Sequence, residues 1–223
     1  MLTLALDTTA EFGSLALVRD GDVLAETLLH APEGFSGILF AEIDKLLANE
    51  GLELAAVDLF AAASGPGSFT GVRIGLAAIK GLAEVLGKPA VPVSNLEALS
   101  RYGTHNLRAT VIDARRGEVF AALYGPDRLV VDEQVVTFPH FLEVLADRDF
   151  EWVCTSFEPF LAAVVGTPFE HLNVAVAPRA LAGAIGQIAA ERMNRGASGE
   201  PASIEANYVR RSDAELLWRE TTR

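Results

Sequence analysis

Asp7 and Asp113 are the residues whose placement first suggests chemistry. Each closes a short apolar run, Leu2-Thr3-Leu4-Ala5-Leu6 in one case and Thr110-Val111-Ile112 in the other. A carboxylate at the end of a strand can hold Mg²⁺ around a nucleotide. Aspartate is equally a turn former at such a position, and both roles stay open. A third candidate is the segment Ser64-Gly65-Pro66-Gly67-Ser68-Phe69-Thr70-Gly71, which follows the apolar run Leu59 to Ala63 and opens a helical pattern. Backbone N–H groups at a helix N-terminus can receive an anion, and Gly65, Gly67, Ser68 and Thr70 stand where it would lie. The segment has neither the Gly-Lys-Ser/Thr of a phosphate-binding Walker loop nor the dinucleotide spacing. Its alternative is a tight turn capped by Ser68 or Thr70. Arg115 and Arg116, in the turn that ends in Gly117, offer two guanidinium groups to a carboxylate or a phosphate, with a solvated turn as the alternative.

Metal chemistry finds little support. The four histidines, His30, His105, His140 and His171, are isolated, so no two share a helical face at ligand spacing. The single cysteine, Cys154, excludes an internal disulfide and a multi-cysteine zinc site, and lies in the apolar stretch from Trp152 as a core residue. A formal charge of -12 repels a phosphate backbone, so the chain is not expected to hold nucleic acid alone. The N-terminus has no basic region ahead of its apolar run, and the weakly polar stretch from Asn173 to Ala190 is broken by Pro178 and Arg179. A cytoplasmic protein without a membrane span is expected.

The elements that must carry these residues follow from periodicity. Strands are predicted at Leu2 to Asp7, Ser14 to Arg19 and Val23 to Leu29, the last two joined at Asp20-Gly21-Asp22. A helix over Gly37 to Asn49, a strand at Leu59 to Ala63 and a helix from Val72 to Leu86, ended by Gly87 and Pro89, complete one α/β unit. The second half repeats the order. Strands are predicted at Thr110 to Asp113, Glu118 to Tyr124 and Leu129 to Thr137. Helix, strand, helix, strand and helix then follow at Pro139 to Ala146, Trp152 to Thr155, Pro159 to Val165, Asn173 to Ala177 and Ala180 to Arg195. The expected architecture is a duplicated α/β fold of two lobes, each opening with an antiparallel hairpin, divided into residues 1–105 and 106–223. The tail from Ser203, with Leu216, Leu217 and Trp218, is expected to lie back on a lobe.

The helix from Val72 to Leu86 is apolar nearly all round and needs cover on more than one side. Gly71, Gly75 and Ala78 form a small flank where another helix could approach, with Val72, Ile79 and Leu82 beside it. The neighbouring helix adds Phe40 and Leu47 to its ordinary core stripe. An intermolecular helical bundle through these eight residues is expected; cover by the rest of the same chain is the alternative.

The string Gly65-Pro66-Gly67-Ser68-Phe69-Thr70-Gly71-Val72-Arg73-Ile74-Gly75 closely resembles the hallmark of the TsaB family. So do Leu6-Asp7-Thr8-Thr9 with Gly13-Ser14-Leu15-Ala16-Leu17, Ile112-Asp113-Ala114-Arg115-Arg116-Gly117-Glu118-Val119, and Ala206-Asn207-Tyr208-Val209-Arg210-Arg211. The resemblance implies the actin, sugar-kinase and heat-shock chaperone ATPase fold. It also implies a non-catalytic subunit in the formation of N6-threonylcarbamoyladenosine next to the tRNA anticodon. Its partners would be a TsaD-like transferase, which carries the metal on two histidines of one helix, and a TsaE-like ATPase. No cofactor of its own is expected, with ATP or Mg²⁺ possible only within the complex, and a homodimer is expected when it is isolated. The competing readings are an independent ATPase or small-molecule kinase of the same fold and, disfavoured by the missing histidine pair, a metallopeptidase.

Overall fold

The computed structural model describes residues 1–209. Strand β1 (Leu2–Asp7) is buried over its whole length, Thr3 and Asp7 included, as a central strand covered on both faces. On one side it pairs antiparallel with β2 (Phe12–Arg19), and β2 pairs with β3 (Asp22–His30). Asp20 and Gly21, at φ 53° and 97°, make the two-residue turn whose left-handed backbone matches the strand twist. On its other side β1 pairs parallel with β4 (Leu59–Ala63), and β4 with β5 (Ala90–Val93).

The second sheet repeats this arrangement. Its central strand, β6 (Arg108–Arg115), pairs antiparallel with β7 (Glu118–Tyr124) and parallel with β9 (Glu151–Cys154). β8 (Leu129–Thr137) and β10 (Val174–Val176) form the edges. The orders β3-β2-β1-β4-β5 and β8-β7-β6-β9-β10 are the same topology. Asp7 and Asp113 occupy the sixth place of their central strands, and each accepts the N–H two residues on, from Thr9 and Arg115, at 2.8 Å. The chain is a duplicated α/β fold of the actin-like ATPase type, as expected.

Helices α1 (Leu39–Asn49) and α2 (Phe69–Leu86) pack on one face of the first sheet, burying Leu4, Leu6, Leu15 and Leu17. α4 (Phe138–Val144) and α5 (Leu161–Val164) lie over the second, around Trp152, Phe141 and Phe150. The remaining two helices cross between the halves. α3 (Asn95–Ser100) packs on β6 and β7, while α6 (Ala182–Asn194) packs on the first sheet. α6 sits close because Ala5, Ala16, Ala61 and Ala63 present small side chains. A Cβ on its Gly186 would stand 2.7 Å from Val18. A division at 105/106 separates the strands but cuts through the layer of helices that joins them.

Strand β5 and helix α3 went unrecognised in the sequence. Ala90-Val91-Pro92-Val93 is short and holds a proline, which argues against a strand interior, yet an edge strand tolerates a missing donor. Cys154 is buried, and desolvation pushes its thiol up to about 11, the behaviour of an unreactive core cysteine. No helix among the described residues is long and apolar enough to cross a membrane. Leu216, Leu217, Trp218, Arg210 and Arg211 lie outside the described residues.

Candidate functional site

The chain turns sharply after β1, and the residues that follow are held by the glycine-rich loop. Thr8 donates its hydroxyl to the Gly71 carbonyl at 2.7 Å, and Ser68 donates its N–H to the Thr9 carbonyl at 2.6 Å. The glycines make this approach possible. A Cβ on Gly71 would lie 1.9 Å from the Thr8 carbonyl oxygen, and one on Gly67 would lie 2.6 Å from that of Thr9. Gly65, at φ 99°, takes a backbone that other residues rarely adopt. Ser68 is the N-cap of α2, its hydroxyl accepting from Gly71 N at 3.2 Å. α2 therefore begins at Phe69, one turn before the predicted Val72, because capping starts a helix ahead of its apolar stripe.

Beneath the loop lies a sealed polar cluster. Asp7 Oδ1 accepts the Thr9 N–H at 2.8 Å and the Thr9 hydroxyl at 2.6 Å, while Oδ2 accepts from Asn95 Nδ2 at 3.2 Å. Asn95 also donates to Thr9 Oγ1 at 2.9 Å and accepts the Gly65 N–H on Oδ1 at 3.2 Å. Burial holds the Asp7 carboxyl above its ordinary 3.8, and the hydrogen bonds from Thr9 and Asn95 oppose that shift in part. Asp113 is its open counterpart. Its side chain is 39% exposed and faces Arg115, whose Nη1 stands 3.6 Å away. Arg115, Arg116 and Gly117 take positive φ in succession, forming the bulge and turn between β6 and β7.

A cleft of about 1040 Å³ runs between the sheets. Gly67, Ser68, Thr70, Asp113 and Arg115 line it, together with Phe35, Phe120 and Tyr208. Asp7 and Gly65 do not reach its surface. Arg116 lines a separate hollow of about 420 Å³ with Asp113, Arg115, Phe138 and Phe160. Thr9 and Asn207, quoted in the sequence only within strings of the resemblance, and Asn95, absent from any of them, hold the loop. Among the described residues no three His, Cys, Asp or Glu side chains stand together as metal ligands.

The expected partner surface needs correction. Leu47, Val72, Ile79 and Ala78 are buried in the chain's own core, Leu82 is packed against it, and Gly71 and Gly75 are buried as well. The small flank faces β1 of the same chain: a Cβ on Gly75 would stand 2.6 Å from Thr8 Oγ1 and 3.0 Å from Leu6. Ile204 and Ala206, after α6, supply further cover to this core. The outward strip of α2 is instead Arg73, Ala77, Gly81, Glu84 and Val85, with Val85 85% exposed. Phe40, 53% exposed on α1, is the one member of the expected set left open to solvent.

The family model described as "TsaD: tRNA N6-adenosine threonylcarbamoyltransferase" matches residues 30–151. The tRNA threonylcarbamoyladenosine biosynthesis protein TsaB of Bacillus subtilis (strain 168) is 37% identical over 157 residues, covering 67% of this chain and 68% of that one. The chain belongs to the TsaB family. The Haemophilus influenzae protein of the same name is 41% identical over 121 residues, 52% of this chain and 51% of its own length. The solved structure of YeaZ from Pseudomonas aeruginosa superposes with a TM-score of 0.76 at 29% identity, covering 93% of this chain and 99% of that one. The string from Gly65 to Gly75, on which the resemblance was read, is the segment that packs on Thr8 and Thr9.

Proposed function

We propose that this chain is a non-catalytic subunit in the formation of N6-threonylcarbamoyladenosine in tRNA, working by dimerising with a TsaD-like threonylcarbamoyltransferase and supporting it. The observation that carries this reading is the alignment with relatives named for that biosynthesis. The environment of Asp7 supports the non-catalytic part. Both oxygens of that carboxylate are occupied by Thr9 and Asn95, and the glycine loop closes over it, so a metal would have to break the cluster to reach it. A TsaE-like ATPase is a further partner of the assembly, and ATP and Mg²⁺ belong to the assembly and not to this chain. The isolated chain forms a homodimer through the surface that otherwise receives the transferase. Phe40 and the outward strip of α2 are that surface, since they combine exposed apolar area with small residues that let another helix come close.

The test is reconstitution. Modified tRNA is measured by mass spectrometry after incubation with the transferase and the ATPase, with and without this chain. Strong dependence on the chain is expected; equal modification in its absence defeats the proposal. A parallel titration of the isolated chain with labelled ATP is expected to show neither tight binding nor turnover, and either one would favour an independent ATPase.

A further inference from the structure

The segment after α6 touches both halves of the molecule within six residues. Ile204 is buried in the core of the first sheet, with Ala206 packed against it. Asn207 donates its N–H to the Ser64 carbonyl at 2.8 Å, at the root of the glycine-rich loop. Its side-chain amide donates to Glu133 on β8 of the second sheet. Tyr208 lies on Phe69, ring centroids 5.5 Å apart, and accepts from Arg73 Nε at 3.1 Å. Val209 packs on the cluster of Leu96, Phe120 and Tyr124. Asn207, Tyr208 and Val209 all line the cleft between the sheets.

We propose that residues 204–209 are a strap that sets the opening of the cleft, latched by the contact between Asn207 and Glu133. The two halves are joined by α3 and α6, and the strap is a further tie at the cleft itself. A tie across the cleft restrains hinge motion about the helices that join the halves. The latch has a defined hydrogen-bond polarity. Glu133 accepts from the Tyr124 hydroxyl on Oε1 and from Asn207 on Oε2, so both of its oxygens act as acceptors. Because the same strap holds Ser64 and Phe69, releasing it loosens the glycine loop together with the cleft. This inference stands on the described contacts and does not depend on which partner the chain serves.

The polarity supplies a test in the full chain. Asn207→Asp removes the donated N–H and puts a second carboxylate against Glu133, which breaks the latch by repulsion. Adding Glu133→Gln restores a pair of reversed polarity, since the new amide keeps an oxygen for Tyr124 and donates its N–H to the aspartate. Nitroxide labels on cysteines introduced at Glu33 and Arg116, beside the cleft-lining Pro32 and Arg115, report the opening, while buried Cys154 stays unlabelled. Amide exchange over residues 64–71 reports the loop. Asn207→Asp is expected to lengthen and broaden the distance distribution and to speed loop exchange about tenfold, with the double variant returning both towards the parent values. The strap proposal is overturned if Asn207→Asp leaves both readouts unchanged, or if the double variant recovers neither them nor the fold.

Discussion

Asp7 and Asp113 occupy equivalent strand positions but meet opposite environments. At Asp113 the carboxylate faces water and Arg115, while at Asp7 three donors and the glycine loop surround it. Asp7→Ala removes a buried charge but leaves the Thr9 N–H, the Thr9 hydroxyl and one Asn95 donor without their acceptor. Orphaned buried donors cost about 1–3 kcal/mol each, more than the relief from charge burial returns, so a net loss of roughly 2 kcal/mol is expected at neutral pH. The pH dependence has a definite sign. The folded chain binds the Asp7 proton more tightly than the unfolded chain, whose value is near 3.8. The charge penalty is therefore absent below that value and develops as pH rises through the higher folded one. Denaturant midpoints of the parent and Asp7→Ala, measured from about pH 4 to 7, should show the parent's advantage shrinking as pH rises. An advantage that grows with pH would mean the hydrogen bonds dominate and that Asp7 is held below its ordinary value.

At the scale of elements, strands of the two hairpins and the parallel strands β4 and β9 were legible within two residues, because each holds a short run rich in apolar residues and the hairpin turns carry Asp, Gly or Arg-Gly. What periodicity does not carry is which surface meets an apolar face. α2 reads as a helix in need of a partner, and much of that need is met by β1, β4 and Ile204, which lies far along the chain. The sealing of Asp7 was equally hidden, since Asn95 has no motif of its own and reaches Asp7 only when α3 is folded. The glycines of α2 turn this into a measurement. Gly71→Ala drives a methyl into the Thr8 carbonyl, a backbone atom that cannot turn aside, and should cost 1–3 kcal/mol or more, about the range of overpacking. Gly81→Ala meets nothing within 4 Å and should stabilise by about 0.5–1 kcal/mol through helix propensity. Thermal melts of the two variants decide it; a tolerated Gly71→Ala would mean that α2 does not rest on β1 as described. The outward surface takes a different probe. Ala77→Trp and Phe40→Asp should leave the melting temperature of the isolated chain within a few degrees of the parent and abolish co-elution with the transferase. Retained co-elution by both would remove this face from the proposed interface.

The whole molecule is tied together by an exchange of helices. α6, from the second half of the sequence, covers the face of the first sheet formed by Ala5, Ala16, Leu59, Ala61, Ala63, Val91 and Val93, while α3, from the first half, lies on β6 and β7. The halves that a repeat in the sequence marks out are thus not the units that bury their own apolar surface. Without α6, a fragment of residues 1–105 would present those seven side chains to water on one whole sheet face. Apolar area exposed on that scale costs about 25 cal/mol per Å², against a total stability of only some 5–15 kcal/mol for a domain. The intact chain is expected to unfold in one cooperative transition, with tryptophan fluorescence, to which Trp152 in the second sheet contributes, and far-ultraviolet circular dichroism giving coincident curves. Fragment 1–105 should aggregate or melt without cooperativity, and co-expression with 106–223 should recover a soluble complex in which α6 again covers the first sheet. A soluble 1–105 fragment with a sharp melt of its own would show that the first sheet does not need the exchanged helix, and the single-transition expectation would fall with it.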